Sequence, residues 1–341
     1  MKYPPIDSRL FVKNRQRFRK QLKPKSIAIF NSNDVMPTSA DGNHPFVQQT
    51  DIFYLSGIDQ EETILVICPD APDKKQKEIL FVRETNEQIA TWEGHKFTKA
   101  EAREISGIQS VHWTNELNTI LRPLIIESEH IYLNTNEHLR ALDIVETRDM
   151  RFLDWCRQTF PLHHYERAAP IMNHLRAVKS PAEIELIKKA CGITDKAFRR
   201  LLGFIKPGVW EYEIEAEIVH EFMRNRSRGP AYETIVASGI DACTLHYVDN
   251  SAVLEDGELL LIDAGCEVEG YASDITRTFP VNGQFSPAQR DVYEIVLKAL
   301  ESDPDARYQY AADMEHDLEE ALRAHDWTPE AAALAAFAAD P

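Results

Sequence analysis

The stretch Leu259-Leu-Leu-Ile-Asp-Ala-Gly-Cys-Glu-Val-Glu-Gly-Tyr-Ala-Ser-Asp-Ile-Thr-Arg-Thr-Phe-Pro-Val281 reads as two strands joined by a tight turn. Leu259 to Ala264 is an apolar run that follows the turn signal Asp256-Gly257, and Tyr271 to Phe279 is rich in aromatic and β-branched residues. Glu267, Val268, Glu269 and Gly270 lie between them, with a glycine where φ is free to be positive. A turn centred between Val268 and Glu269 pairs Asp263 with Asp274 and Leu261 with Thr276, and on the opposite face Ile262 with Ile275.

Directly opposed residues of an antiparallel pair have Cβ atoms about 4.5–5.5 Å apart, so both carboxylates reach one cation or bridge two. Without a cation, two like charges flanked by Leu260, Leu261 and Ile262 repel in a partly desolvated place, and one resists ionising. The pattern therefore points to metal. The plain alternative is that both aspartates cap turns or face solvent, the usual place of a carboxylate. Oxygen-only ligation favours a hard ion such as manganese, with zinc, cobalt or iron admitted when a histidine joins.

The runs Tyr232-Glu-Thr-Ile-Val-Ala-Ser-Gly239, Leu245-His246-Tyr247, Asp256-Gly257, Leu261-Ile-Asp-Ala-Gly265 and Ser273-Asp-Ile-Thr-Arg-Thr-Phe-Pro280 follow in order. Together they resemble the catalytic domain of aminopeptidase P, the Xaa-Pro aminopeptidases of the pita-bread metallopeptidase family. The resemblance implies a dinuclear metal site, usually manganese, that releases an N-terminal residue when proline follows it. On it Asp263 and Asp274 match the first two metal ligands, and His246 matches the histidine beside the metals that contacts substrate. A lone histidine between apolar residues is otherwise more often a core or surface side chain; near two cations a neutral imidazole can bond a substrate carbonyl or help move protons.

The same resemblance implies five protein ligands, and a histidine and two glutamates expected from the second half of the catalytic domain have no match in this text. After Ser286 the chain offers only His316 and His325, neither in a glycine- and histidine-rich setting. From about Glu301 the composition turns Ala-rich and acidic, ending in Ala331-Ala-Ala-Leu-Ala-Ala-Phe-Ala-Ala-Asp-Pro341. Residues 298–318 resemble the last helices of bacterial Ser/Thr protein kinase domains. A kinase's glycine-rich loop, His-Arg-Asp loop and Asp-Phe-Gly segment are absent, which excludes that activity. The alternative for the tail is an amphipathic helix around Met314, Leu318 and Leu322 that covers exposed core.

Upstream, Ser26–Phe30, Thr63–Cys68, Glu78–Val82 and His130–Leu133 read as strands, and Arg9–Leu22 and Thr98–Ile105 as helices. That alternation argues an α/β domain with a mostly buried sheet. It agrees with the resemblance, whose N-terminal domain the text Asp51-Ile-Phe-Tyr-Leu-Ser-Gly57 and Trp92-Glu-Gly-His95 also fits; that domain shapes the cleft and carries no metal ligand, leaving Glu93 and His95 as structural or rim residues. Ser180-Pro-Ala-Glu183 opens a helix with an N-cap serine, proline at its first position and a glutamate three residues on. Ile184, Ile187, Cys191, Thr194, Phe198 and Leu201 give it one buried face, and Lys206-Pro-Gly208 stops it. A second helix over Glu211–Arg224 buries Ile214, Ile218 and Phe222, and Ser286-Pro-Ala-Gln289 opens a third that runs to about Leu300.

The expected fold is thus an α/β N-terminal domain over 1–175, like that of creatinase and aminopeptidase P. It is followed by the first half of an α+β pita-bread catalytic domain over 176–300 and a helical tail over 301–341. A missing half exposes strand edges and apolar faces, so the chain is expected to be marginal, sticky or dimeric. With three of five ligands unmatched, it is expected to hold one manganese ion or none and to be weakly active or inactive. The other reading is a non-catalytic remnant or fusion that serves as a binding or oligomerising module.

The 341 residues suit two ordinary domains, and 43 % hydrophobic residues suffice for real cores. A net charge of −17 and a pI near 5.2 argue against nucleic acid and anionic membranes as partners. The partners expected are peptides with proline at the second position, with a homo-oligomer open. The N-terminus carries no apolar segment of signal-peptide length, so the expected location is cytoplasmic. Cys68, Cys156, Cys191, Cys243 and Cys266 show no CxxC spacing, which suits reduced thiols; Cys266, near the hairpin, is expected to pack as a small hydrophobe.

Overall fold

A computed structural model describes residues 6–141 and 144–325. Contacts divide the chain into two compact units: Met1–Lys189 with Val268–Tyr271, and Ala190–Glu267 with Ala272–Pro341.

The first unit runs α1 (Ser8–Arg19), β1 (Ser26–Asn31), α2 (Thr50–Ser56), β2 (Ile64–Ile67), β3 (Glu78–Val82), α3 (Glu87–Glu93), α4 (Lys99–Ser106), β4 (Ser110–Trp113), α5 (Leu117–Glu127), β5 (His130–Leu133), α6 (Arg148–Thr159), β6 (His164–Arg167) and α7 (Ala169–Ala177), and then enters α8 (Pro181–Leu201). Its strands form one sheet in the order β4-β3-β2-β1-β5-β6. β1 pairs antiparallel with β2 and parallel with β5. Because successive strand side chains point to opposite faces, β1 feeds two cores: Ala28 and Phe30 pack with Phe18, Ile52 and Leu55, while Ile27 and Ile29 pack with Leu121, Ile125 and Phe160. Full burial on both faces explains the unbroken apolar runs Ile27–Phe30 of β1 and Ile64–Ile67 of β2.

The second unit continues with α9 (Glu211–Arg224), β7 (Gly229–Pro230), β8 (Ile235–Ser238), β9 (Leu259–Ala264), β10 (Cys266–Val268), β11 (Tyr271–Ala272), β12 (Ile275–Pro280), α10 (Pro287–Ala299) and α11 (Ala311–Ala324). Its strands form two small sheets, β11-β10-β7 and β12-β9-β8. Ile214, Ile218 and Phe222 of α9 have no exposed surface. Met314, Leu318 and Leu322 are half-buried on α11, which packs against α10. The Ala331–Pro341 run lies outside the described residues.

Four expectations are corrected. The hairpin turn is centred on Glu269 and Gly270, both at positive φ (56° and 78°), and not between Val268 and Glu269. Two central residues at positive φ match the right-handed twist of the flanking strands, so this pair takes the turn. The register therefore slips by two: Thr276 opposes Asp263, Thr278 opposes Leu261 and Arg277 opposes Ile262. A two-residue slip preserves facing, so Asp263 and Asp274 stay on one side of the ribbon as diagonal neighbours.

Second, the segment Tyr271–Phe279 is two strands, broken at Ser273 and Asp274. The ribbon changes sheets there, opposite Gly265, whose added Cβ would lie 1.8 Å from the Ser273 carbonyl oxygen. Third, the buried stripe of α8 is Ala190, Ile193, Thr194, Ala197, Phe198 and Leu201, while Ile184 is 42 % exposed. Glu183 takes the inward place in the first turn, accepting from Ser180 N (2.8 Å) and Tyr271 Oη (3.2 Å). Ser180 Oγ is buried without a partner, so only half of the anticipated capping box forms, whereas the box at Ser286 and Gln289 is complete. Fourth, α8 ends at Leu201, ahead of Lys206-Pro-Gly208; Gly203 interrupts helix propensity and Phe204 and Ile205 donate back to Leu201 O.

Candidate metal-binding hairpin

β9 carries Asp263 inside the strand ladder, held on one side by β12 and on the other by β8, where Ile235 is its Cα partner. Asp274 sits in the break between β11 and β12. Below the ribbon, Ser273 is buried: its Oγ lies 2.7 Å from Thr194 Oγ1 of α8 and accepts from Cys266 N at 3.0 Å. Cys266 Sγ donates to Ala190 O at 3.4 Å, and burial pushes its thiol pKa up, as suits packing. All five cysteines are free. These contacts fix the base of the hairpin on the second half of α8.

The two aspartates meet at one hydroxyl. Tyr232 Oη donates to Asp263 Oδ1 at 2.6 Å and lies 3.1 Å from Asp274 Oδ1. A hydroxyl has one proton, so the two carboxylates share it. Burial and the two neighbouring carboxylates drive the phenol's pKa far above its ordinary value. Asp263 is half-buried and Asp274 exposed, so the pair opens to solvent on one side. Tyr232 heads the first of the ordered motif runs, where the sequence marks no role for it; its position before β8, the strand paired with that of Asp263, is the available signal.

His246 is exposed, in the turn after the 3-10 segment Gly239–Cys243. No hydrogen bond among the described residues joins it to either aspartate. Among the described residues no group of three or more His, Cys, Asp and Glu side chains could hold a metal ion. His316 faces Glu320 at 3.7 Å and His325 bonds Asp291 at 2.7 Å, both apart from the hairpin. Two carboxylates on one solvent-open face, sharing one hydroxyl proton, fit one edge of a hard-cation site; they do not make a closed five-ligand cage. In the first unit, Glu93 pairs with Arg83 and His95 lies 3.1 Å from Glu101. No helix among the described residues is long and apolar enough to cross a membrane.

Residues 185–303 match the family model "Metallopeptidase family M24", and residues 11–132 match "Aminopeptidase P, N-terminal domain". The chain is similar to the Xaa-Pro aminopeptidase of Escherichia coli (strain K12), 37 % identical over 299 residues, which cover 87 % of this chain and 67 % of that one. It is also similar to that of Haemophilus influenzae, 35 % identical over 85 % of this chain and 64 % of the relative. It thus spans about two thirds of the length of these curated relatives. Among solved structures it is similar to Pseudomonas aeruginosa aminopeptidase PepP (TM-score 0.82, 29 % identity, 98 % of this chain and 77 % of that one). E. coli aminopeptidase P with the inhibitor Pro-Leu gives a TM-score of 0.76 at 35 % identity, over 88 % of this chain and 68 % of that one.

Proposed function

The chain belongs to the Xaa-Pro aminopeptidase family of M24 metallopeptidases, with that family's N-terminal α/β domain and pita-bread catalytic region, and on that footing we propose that it binds peptides with proline at the second position and works toward release of their first residue. The observation that carries this is the pair Asp263 and Asp274 converging on Tyr232 Oη inside the matched catalytic region. Asp263 and Asp274 would hold the divalent ion, manganese in this reading, whose chemistry when bound is to acidify water and polarise a carbonyl. Tyr232 orients the two carboxylates by its shared proton, and His246 meets the peptide from the neighbouring turn. In this reading 1–175 is the N-terminal domain, 176–300 carries the site, and 301–341, with its kinase-like text, adds no catalytic group.

Two carboxylates hold a divalent ion weakly beside a closed cage. These 341 residues by themselves are therefore proposed to be weak or inactive in hydrolysis. The second reading, a binding or oligomerising module without catalysis, is favoured by one observation: the six-stranded sheet owns a core on each face. Elemental analysis of dialysed protein beside an Asp263→Asn control, with a tripeptide carrying central proline assayed in parallel, separates the two. Manganese retained and lost in the control supports the peptidase reading; metal-free protein with no release of the first residue supports the module.

A further inference from the structure

A buried, fully bonded carboxylate of the second unit lies outside the hairpin. Glu211, the first residue of α9, has no exposed surface. Its Oε1 accepts from Ser238 N at 2.7 Å and Ser238 Oγ at 2.8 Å; its Oε2 accepts from Tyr247 Oη at 2.8 Å and Ala252 N at 2.9 Å. Its own N–H donates to Ala252 O at 3.0 Å. None of this is helix capping, because the N-terminal box of α9 is closed by Glu213, which accepts from Trp210 N at 2.8 Å.

The partners of Glu211 are the two ends and the middle of one loop. Ser238 closes β8, Ala252 leads toward β9, and Tyr247 directly follows His246. One turn along the same helix, Glu215 Oε2 accepts from Asn250 Nδ2 at 2.9 Å. Asn250, 3 % exposed and at φ 46°, also receives Val236 N–H (3.0 Å) and donates to Thr234 O (2.9 Å). A buried carboxylate is costly unless its lone pairs are filled, and here all are filled by a loop whose exposed histidine makes no hydrogen bond among the described residues. His246 is therefore aimed by its backbone alone, and that backbone is gripped by α9.

We propose that Glu211 is a positioning residue: by clamping residues 238–252 it sets where His246 stands for a bound Xaa-Pro peptide. This rests on the reading of His246 as the group that meets the peptide. A loop aimed by a buried carboxylate needs no side-chain contact at the histidine itself, so coupling between Glu211 and His246 is the signature to measure.

The test is calorimetric binding of an Ala-Pro-Ala tripeptide to the full chain with manganese present, for His246→Ala, Glu211→Gln and the double variant, with manganese uptake and amide exchange recorded. Losing one hydrogen bond to the peptide corresponds to about five- to tenfold in affinity, so each single variant is expected to weaken binding by about that factor. The double variant is expected to bind no more weakly than His246→Ala, with manganese uptake of Glu211→Gln unchanged and exchange accelerated in 238–252 but not in 259–280. Additive losses, or Glu211→Gln binding like the unsubstituted chain, overturn the clamp. An unsubstituted chain that does not bind the tripeptide, or a His246→Ala chain that binds normally, overturns the site reading beneath it. If Glu211→Gln does not fold, Tyr247→Phe, which removes the bond to Glu211 beside His246 and the longer one accepted from Ser251 N at 3.3 Å, both within the clamped loop, takes its place with the same outcomes.

Discussion

Arg15 Nε donates to Glu78 Oε2 across 2.9 Å while none of the arginine side chain reaches solvent. Its Nη1 spans two further elements, donating to Leu55 O at 2.7 Å and Ser106 O at 2.9 Å. Burial pulls the guanidinium pKa down, against the pull of Glu78, yet the group stays the common tie of α1, β3, α2 and α4. Breaking a buried pair by removing one partner costs about 3–5 kcal/mol, so Arg15→Ala is expected to destabilise the first unit by that amount in urea titration. A loss within the roughly 0.5 kcal/mol of an ordinary surface change would sink the claim.

Gly265 is expected to tolerate no side chain. An added Cβ meets the Ser273 carbonyl oxygen at 1.8 Å and the Tyr232 ring at 2.9 Å, and neither backbone nor packed ring can step aside freely. Overpacking of this kind costs about 1–3 kcal/mol, and more where backbone must move. Gly265→Ala should lower the melting temperature and also reduce manganese uptake, since the ring it displaces holds both aspartates; a variant that melts lower but binds metal normally would break that link.

Stability should carry a pH slope from Asp149, at the start of α6. Removal from water pushes this carboxyl up to about 7, against the bond from Asn31 Nδ2 at 2.8 Å. Its ordinary pKa is about 4, so between about pH 4 and 7 the folded chain binds more protons here than the unfolded one, and stability falls as pH rises through that window. The contribution is fully present below the window and gone above it. Asp149→Asn should flatten this part of a denaturation series run from pH 5 to 8; a slope equal to that of the unsubstituted chain would show that other groups produce it.

Manganese is expected to raise the melting temperature of the unsubstituted chain by mass action, and Asp263→Asn or Asp274→Asn to abolish the shift. Tyr232→Phe removes the one proton the carboxylates share; hydrogen bonds to charged groups are worth about 1.5–3 kcal/mol, so this variant should be less stable without metal. Added manganese should recover part of that loss. If it stabilises both chains equally, the hydroxyl and the ion are not exchanging places.

What could be read from the text follows from where each residue finds its partners. β1, β2, β3 and β5 were legible because each interior strand carries a continuous apolar run of three to four residues. β4 and β6 were missed: they edge the sheet, and Ser110-Val-His-Trp113 and His164-Tyr-Glu-Arg167 are only part-buried, so periodicity is mute. The facing of Asp263 and Asp274 was legible from the two-residue period, whereas the register depended on which pair of residues took positive φ, a choice of one position. Tyr232 and Glu211 were illegible as site residues because their partners lie 27 to 42 residues along the chain. Glu211 in particular reads as an ordinary acidic residue opening a helix.

The central place of β1 has a consequence during synthesis. β1 is complete by Asn31 and gains β2 by Ile67, but its other neighbour ends at Leu133. At roughly 5–20 residues per second a ribosome takes about 3–13 s to cover that interval, during which the edge of a strand with the apolar middle Ile27–Phe30 stands open on the nascent chain. The first unit thus depends on whatever shields that edge while translation proceeds, and slowing elongation between residues 67 and 133 should lower the yield of soluble protein more than the same slowing placed after residue 190.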